Sequence, residues 1–377
     1  MRRLGHQQLA RVRVAGVGRG QRLQRPEIAL HRLDAARELP DHLVELLDRP
    51  RLKRHLHLEV DDSSLERRPV RPVFRHLPFV RRSPPHDKPR TPGYPPCPVP
   101  EFIAIPDPGQ PAGRVRIDRR GPLAEPGPCP PLVLLGGMTQ TLSSWGGQLR
   151  PLAQDRQVVA YEARGQGQTE LSLVDVGPPR HVDDFVALMD ALDLPRVDLC
   201  GFSFGARIAL AIAAARPTRV RRLIVTGVSA GRGALGRVIV RAWRAALATG
   251  DLEALGWLSL ADTLGPAYLQ KHEAMLPAMV QAVQDRNSYA GIRALFEQTL
   301  GDDETSPWHP TVLAPQISSP ALLLAGAHDR LAPAADLATL AALFPTPAEH
   351  HVVPDVGHTV PIEAPELWRA HVRRFLA

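Results

Sequence analysis

The 377-residue sequence predicts an α/β fold: a mostly parallel central sheet with flanking helices and a helical lid insertion. Two observations carry this expectation. Short apolar runs alternate with helix-spaced stretches from about residue 113 to 226 and again from 321 to the end, and such alternation implies parallel strands joined by crossover helices. One of the joints reads Gly201-Phe202-Ser203-Phe204-Gly205, set between an apolar strand and a long apolar helix, which is the context that gives a G-x-S-x-G pattern its meaning.

The first hundred residues stand apart. They carry 21 Lys+Arg against 11 Asp+Glu, which leaves 25 against 28 for residues 101–377, so the high pI of 9.9 belongs to the amino-terminal part alone. The enzyme-like part is mildly acidic and no nucleic-acid module is recognisable, so nucleic acid is not an expected partner. Within 1–83 only Ile28 to Leu47 has helix-like spacing, broken at Pro40, and eight of the seventeen residues from 84 to 100 are proline, as in a stiff extended linker. Two readings of 1–100 stay open: a basic, largely disordered extension, or translation from a start site upstream of the true one. Neither gives it a catalytic role.

From 101 the elements follow in order. Gly113 to Asp118 alternates like an exposed strand, and Leu132-Val133-Leu134-Leu135 is a continuous apolar run like a buried one, ending in Gly136-Gly137. Then come Gln157 to Tyr161 as strand, His181 to Leu192 as helix, 197–200 as strand, 204–216 as helix and 221–226 as strand. Between about 231 and 316 the pattern is helical throughout. Leu235, Val238, Ile239, Ala242, Trp243, Ala246 and Leu247 recur at three- and four-residue spacing, Gly250 is a stop, and Asp251 and Ser288 are candidate caps for helices at 252–260 and 289–300. This insertion reads as a lid. Ala321 to Gly326 resumes the sheet, Val352-Val353 marks a last strand, and Ile362 to Leu376 a last helix.

Three cysteines, Cys97, Cys129 and Cys200, form neither a disulfide framework nor a metal-ligand spacing, and Cys200 reads as a small core residue. The longest apolar stretch, around 199–215, contains Arg207, so no membrane span is expected. Met1 to His6 is not followed by an apolar signal core, and a cytoplasmic location is the expectation.

Ser203 is the candidate nucleophile. A serine hydroxyl is a weak nucleophile that a sharp strand-to-helix turn lifts clear of the sheet, and crowding there favours glycine at 201 and 205. A second match, Gly227-Val228-Ser229-Ala230-Gly231, leads into a flexible Gly-Arg-Gly stretch and lacks the elbow context. The serine needs a base and the base an orienting acid. His358 lies in Gly357-His358 after the last strand, and Asp329, in Gly326-Ala327-His328-Asp329, ends the strand before it; the order Ser203, Asp329, His358 suits acyl chemistry on a parallel sheet. Asp355 is a second candidate acid on the histidine's own loop, while His328, His350 and His351 read as surface residues. The N–H groups of Phe204, at the helix start, and Met138, after the glycine turn, are the candidate oxyanion donors.

These elements together resemble the α/β-hydrolase fold family, in its capped subgroup of esterases, lactonases and carbon-carbon bond hydrolases, over about residues 113–377. Glu162-Ala163-Arg164-Gly165-Gln166-Gly167 is similar to the family's Asp-x-Arg-Gly-His-Gly turn. One departure is Gly136-Gly137 where the family usually has His-Gly, so the histidine that props the oxyanion loop is absent. Serine at the nucleophile position argues against the branches that form a carboxylate ester intermediate. The resemblance implies a carboxylic-ester or lactone hydrolase acting on a small apolar or aromatic acyl substrate, with no metal or organic cofactor. Trp243, Trp257, Tyr268, Tyr289, Phe296 and Trp308 are candidates for its pocket or for the lid's own core. Alternatives are a carbon-carbon hydrolase, a lyase like the menaquinone-pathway synthase of this fold, and, from another class, a slow-turnover ligand receptor.

Overall fold

The computed structural model describes residues 100–122, 129–299 and 306–377, together with two short strands in the amino-terminal part. Residues Met1–Arg90 and Thr91–Ala377 form separate compact units. In the first, Leu9–Val12 pairs antiparallel with Ile28–His31. Ile28–His31 is thus strand where the sequence spacing was helix-like; the rest of that stretch lies outside the described residues. Four residues cannot show a 3.6-residue period, and alternate residues of Ile-Ala-Leu-His suit a strand equally well.

The second unit is built on eight strands: β1 (Glu101–Ile105), β2 (Gly113–Arg120), β3 (Leu132–Leu135), β4 (Val158–Tyr161), β5 (Val197–Phe202), β6 (Val220–Thr226), β7 (Ala321–Gly326) and β8 (Glu349–Val353). Their order across the sheet is β8-β7-β6-β5-β3-β4-β2-β1. All neighbours are parallel except β1 with β2 and β2 with β4. Because β3 lies between β4 and β5, the strand order reverses there, and the crevice above the carboxyl ends of β3 and β5 is where such sheets bind ligands.

Alternate residues of the buried strands feed two cores. Val133, Leu135, Leu199, Val225 and Leu323 pack under α2 (Pro178–Ala191) and α3 (Phe204–Ala215) on one face. Leu132, Leu134, Cys200, Ile224 and Leu322 pack on the other face against α1 (Gly146–Leu152) and the terminal helix. Burial pushes the Cys200 thiol far above its usual range, which fits the core role. Two buried ion cages add polar order. Asp198 lies between Arg156 and Arg221, and Arg164, 1% exposed, is forked onto Asp184 and bonded to Asp107 and Ser172 O.

Between β6 and β7 the chain forms α4 (Gly233–Ala248), α5 (Leu252–Thr263), α6 (Pro266–His272), α7 (Leu276–Arg286) and α8 (Tyr289–Thr299). Asp251 caps α5 by accepting from Ala254 N, and Ser288 Oγ accepts from Gly291 N at the start of α8, as their side-chain chemistry predicts. This layer has its own small core of Ile239, Val240, Leu247, Leu255, Ile292 and Phe296, which also takes in Leu331. Leu313, Ala314 and Ile317, by contrast, join the main core, as does Trp308 at its edge, so the chain returns to the sheet earlier than 316. After α9 (Pro310–Leu313) and α10 (Leu337–Ala342), the carboxyl-terminal helix is two pieces, α11 (Val360–Glu363) and α12 (Pro365–Leu376). The break at Ala364 is what a following proline enforces. Among the described residues no helix is long and apolar enough to cross a membrane.

Candidate active site

Register places the two site-forming loops side by side. Leu135 pairs with Gly201 across β3 and β5, so the residues that follow each strand, Gly136 to Met138 and Phe202 to Phe204, emerge together at the crevice. Ser203 sits at the turn with φ 54° and ψ −112°, a conformation that costs a non-glycine residue about 1–3 kcal/mol and marks a functional turn. Its N–H donates to Thr226 O at 2.8 Å. The flanking glycines are steric necessities. A Cβ on Gly201 would lie 2.5 Å from Ala206 Cα, and one on Gly205 would lie 2.5 Å from Leu135 O.

Ser203 Oγ lies 2.8 Å from His358 Nε2, and His358 Nδ1 lies 2.7 Å from Asp329 Oδ2. With the Nδ1 proton donated to the carboxylate, Nε2 is left to accept the serine proton. Asp329 is fixed in turn, because its Oδ1 accepts from Leu331 N at 2.9 Å and Ala332 N at 2.8 Å. Both His358 and Asp329 are buried. The imidazole packs at a tilt against Phe202, with ring centroids 5.2 Å apart, and Gly227 leaves it room, since a Cβ there would come within 2.9 Å of Cε1.

The competing residues fall elsewhere. Ser229 is buried and its hydroxyl is spent on Gly231 O at 2.7 Å, whereas the bond from His358 goes to Ser203. Asp355 is exposed and lies 3.7 Å from His328, while His351 pairs with Glu349 and stacks on His371. Met138 and Phe204 both line a recess of about 50 Å³ that also touches Ser203 and His358. The N–H groups of Gly205, Ala206 and Arg207 are taken up by Gly136 O and Ser203 O, whereas among the described residues those of Phe204 and Met138 have no acceptor.

The glycine turn is braced by two glutamines. Gln140 Oε1 accepts from Gly137 N at 2.9 Å, and Gln166 Nε2 donates to Gly137 O at 2.6 Å and Met138 O at 3.2 Å. They hold the loop that lacks the family's histidine. Gln166 stands in the Arg164-Gly165-Gln166-Gly167 turn, so its place was visible in the sequence although its brace on Gly137 was not.

Glu363 was missed altogether. Its Oε2 accepts from Gly357 N at 3.0 Å and Gly265 N at 2.7 Å, and its Oε1 from Thr359 N at 3.1 Å and Thr359 Oγ1 at 2.8 Å. Both neighbours of His358 and the α5–α6 junction thus share one carboxylate, and His358 N itself donates to Thr263 O at 2.7 Å. A carboxylate five residues after Gly-His, at the end of a short helical turn, is the signal that could have found it.

Above Ser203 opens a chamber of about 350 Å³, roofed by α4, α5, α7 and α8. Of the six candidate aromatics only Trp243 and Phe296 line it, their rings 6.4 Å apart. Trp257 is exposed, Tyr268 rests on His272 and Tyr289 donates to Leu247 O, each turned away from the chamber by its helix, while Trp308, in the turn before α9, joins the main core.

Residues 130–365 match the family model described as alpha/beta hydrolase fold, and the chain belongs to that family of enzymes. It is 27% identical over 269 residues to the 2-hydroxymuconate semialdehyde hydrolase of Pseudomonas sp. (strain CF600), a match that covers 66% of this chain and 87% of that protein. Over 257 residues it is 28% identical to the pyrrolizixenacetamide deacetylase of Xenorhabdus hominickii, covering 66% and 91%. The crystal structure of the enol-lactonase from Burkholderia xenovorans LB400 shares the fold, with a TM-score of 0.59, 23% identity and coverage of 73% and 99%.

Proposed function

We propose that the protein is a serine hydrolase that cleaves a carboxylic ester or lactone through an acyl-enzyme. The reading rests on one observation above all, the unbroken line from Ser203 Oγ through His358 to Asp329 at 2.8 and 2.7 Å. Ser203 Oγ bonds to the carbonyl carbon while its proton passes to His358 Nε2, and Asp329 stabilises the imidazolium. The oxyanion is received by the N–H groups of Phe204 and Met138. Collapse breaks the ester bond, and the leaving oxygen takes the proton from Nε2. Water then repeats the sequence on the acyl-serine, giving its proton to Nε2, and the acid departs as Ser203 recovers its own. The helices over the chamber act as a lid, and the apolar lining from Trp243, Leu255 and Phe296 favours an apolar acyl group.

A panel of p-nitrophenyl esters of increasing acyl length tests this. Turnover that vanishes in Ser203→Ala is expected, and a wild-type protein inert on every member, or a Ser203→Ala variant as active as wild type, refutes it. The relative named for 2-hydroxymuconate semialdehyde favours a second reading, carbon-carbon bond hydrolysis by the same three side chains. Loss of the absorbance of that compound, with the ester panel untouched, would select it.

A further inference from the structure

The chamber's lining is uneven in charge. Trp243, Leu255, Leu260, Val283 and Phe296 make it apolar, and among the described lining residues the ionisable side chains are His358 and Arg286. Among the described residues no carboxylate lines it. Arg286, the last residue of α7, is exposed where the chamber meets solvent. It donates through Nη1 to Ser143 Oγ, which also bonds Thr141 Oγ1 at 2.9 Å.

The end of α7 is pinned to the oxyanion turn rather than left to swing. Asn287 Nδ2 donates to Thr139 O at 3.0 Å and Asn287 Oδ1 accepts from Gly167 N at 3.2 Å. The backbone from which Arg286 extends is therefore fixed beside that turn, and the guanidinium reaches the chamber mouth through its bond to Ser143 Oγ. Several arginines of the unit are satisfied by acids, Arg164 by Asp107 and Asp184 and Arg221 by Asp198, while Arg373, on the outer surface, bonds Pro151 O and Gln154. Arg286 has no carboxylate partner among the described residues, and the neighbouring Asp285 bonds Gln281 instead. A cation at a helix carboxyl end suits the helix dipole, but that accounts for its sign and not for its place on a chamber wall beside two hydroxyls.

We propose that Arg286, with the hydroxyls of Ser143 and Thr141, forms a subsite for a carboxylate, and that the substrate is an ester or lactone carrying an acidic group remote from the bond that breaks. The forked donors of a guanidinium fit a carboxylate, and an apolar spacer between that group and the reacting carbonyl fits the apolar lining. The substrate class builds on the ester-hydrolase reading; the subsite itself can be tested without turnover.

Monomethyl succinate, glutarate and adipate are compared with methyl butyrate, valerate and hexanoate by pH-stat titration, so that each pair differs only in a terminal carboxylate. The best ratio of anionic to neutral kcat/KM is expected to fall about tenfold in Arg286→Gln, the scale of a charge-assisted hydrogen bond at a partly exposed site, and to recover in part in Arg286→Lys. A ratio unmoved in Arg286→Gln overturns the subsite and leaves the ester reading standing. Calorimetric binding of monomethyl adipate to Ser203→Ala, weakened by adding Arg286→Gln, is the second arm. Binding of this kind in a protein that hydrolyses no ester would sustain the subsite and remove the ester reading; binding indifferent to Arg286 overturns the subsite.

Discussion

Replacing Glu363 with alanine removes one acceptor from four donors, three of which belong to the residues on either side of His358. Hydrogen bonds to a charged partner contribute about 1.5–3 kcal/mol each, and the low end applies because Glu363 is half-buried. Two such bonds' worth of lost positioning is about 3 kcal/mol, or about a hundredfold in kcat. The same loss lowers Tm by about 5–10 °C in a unit of this size. Glu363→Gln keeps one accepting oxygen but turns an amine towards the remaining donors, so it should recover only about a tenth of wild-type kcat. Steady-state kinetics on the best p-nitrophenyl ester, measured well below the variants' Tm, separates misplacement of His358 from unfolding. The effect should fall on kcat rather than KM, because Glu363 does not line the chamber. A Glu363→Ala protein that is folded and retains kcat within about twofold would show that Glu363 does not position His358.

Gln166→Ala removes the brace on Gly137 O and Met138 O and, because Gln166 is buried and also accepts from Ala163 N, leaves buried backbone groups without partners; kcat should fall about tenfold and Tm by several degrees, measured by the same assay below the melting range and by a melting curve. His181 is fully buried beneath Phe204, and burial, reinforced by Arg164, holds its pKa down to about 3 from 6.5. A base whose pKa is depressed by folding binds its proton only in the unfolded chain between those values, so stability falls as pH drops below about 6.5. At pH 5 the loss from this residue is about 2 kcal/mol, and a His181→Phe variant should lose that much less than wild type between pH 7.5 and 5 in urea unfolding. Equal losses in both proteins would contradict it.

The strand–helix skeleton was legible because the buried strands are short runs that are apolar throughout, as in Leu132–Leu135, or nearly so, as in Val197–Phe202 with its single Asp198, and each crossover helix has its own period. Leu132–Leu135 and Ala321–Gly326 fall where the sequence put them, and the helix expected at 204–216 spans Phe204–Ala215. The alignment of Ser203, Asp329 and His358 in space was also anticipated, since each sits just past the carboxyl end of a strand. What escaped was contact made across long stretches of chain. Glu363 meets Gly265 from 98 residues away, and nothing in either local pattern announces the meeting. The glutamine braces reach the glycine turn from positions 140 and 166, the second 29 residues from Gly137, which no pattern around Gly136 announces. Which of the aromatic residues of the helical insertion belong to the pocket and which to packing stayed open for a related reason: composition reveals how many rings a layer has, but only the phase of each helix decides which face a chamber.

Stoichiometric labelling with a fluorophosphonate reports whether His358 activates Ser203 towards an electrophilic centre, without knowledge of the substrate. One label per chain is expected, located by peptide mass on the segment containing Ser203, abolished in Ser203→Ala and slowed at least about a hundredfold in His358→Ala. A folded wild-type protein that takes up no label at Ser203, or labels equally fast without His358, would contradict the account.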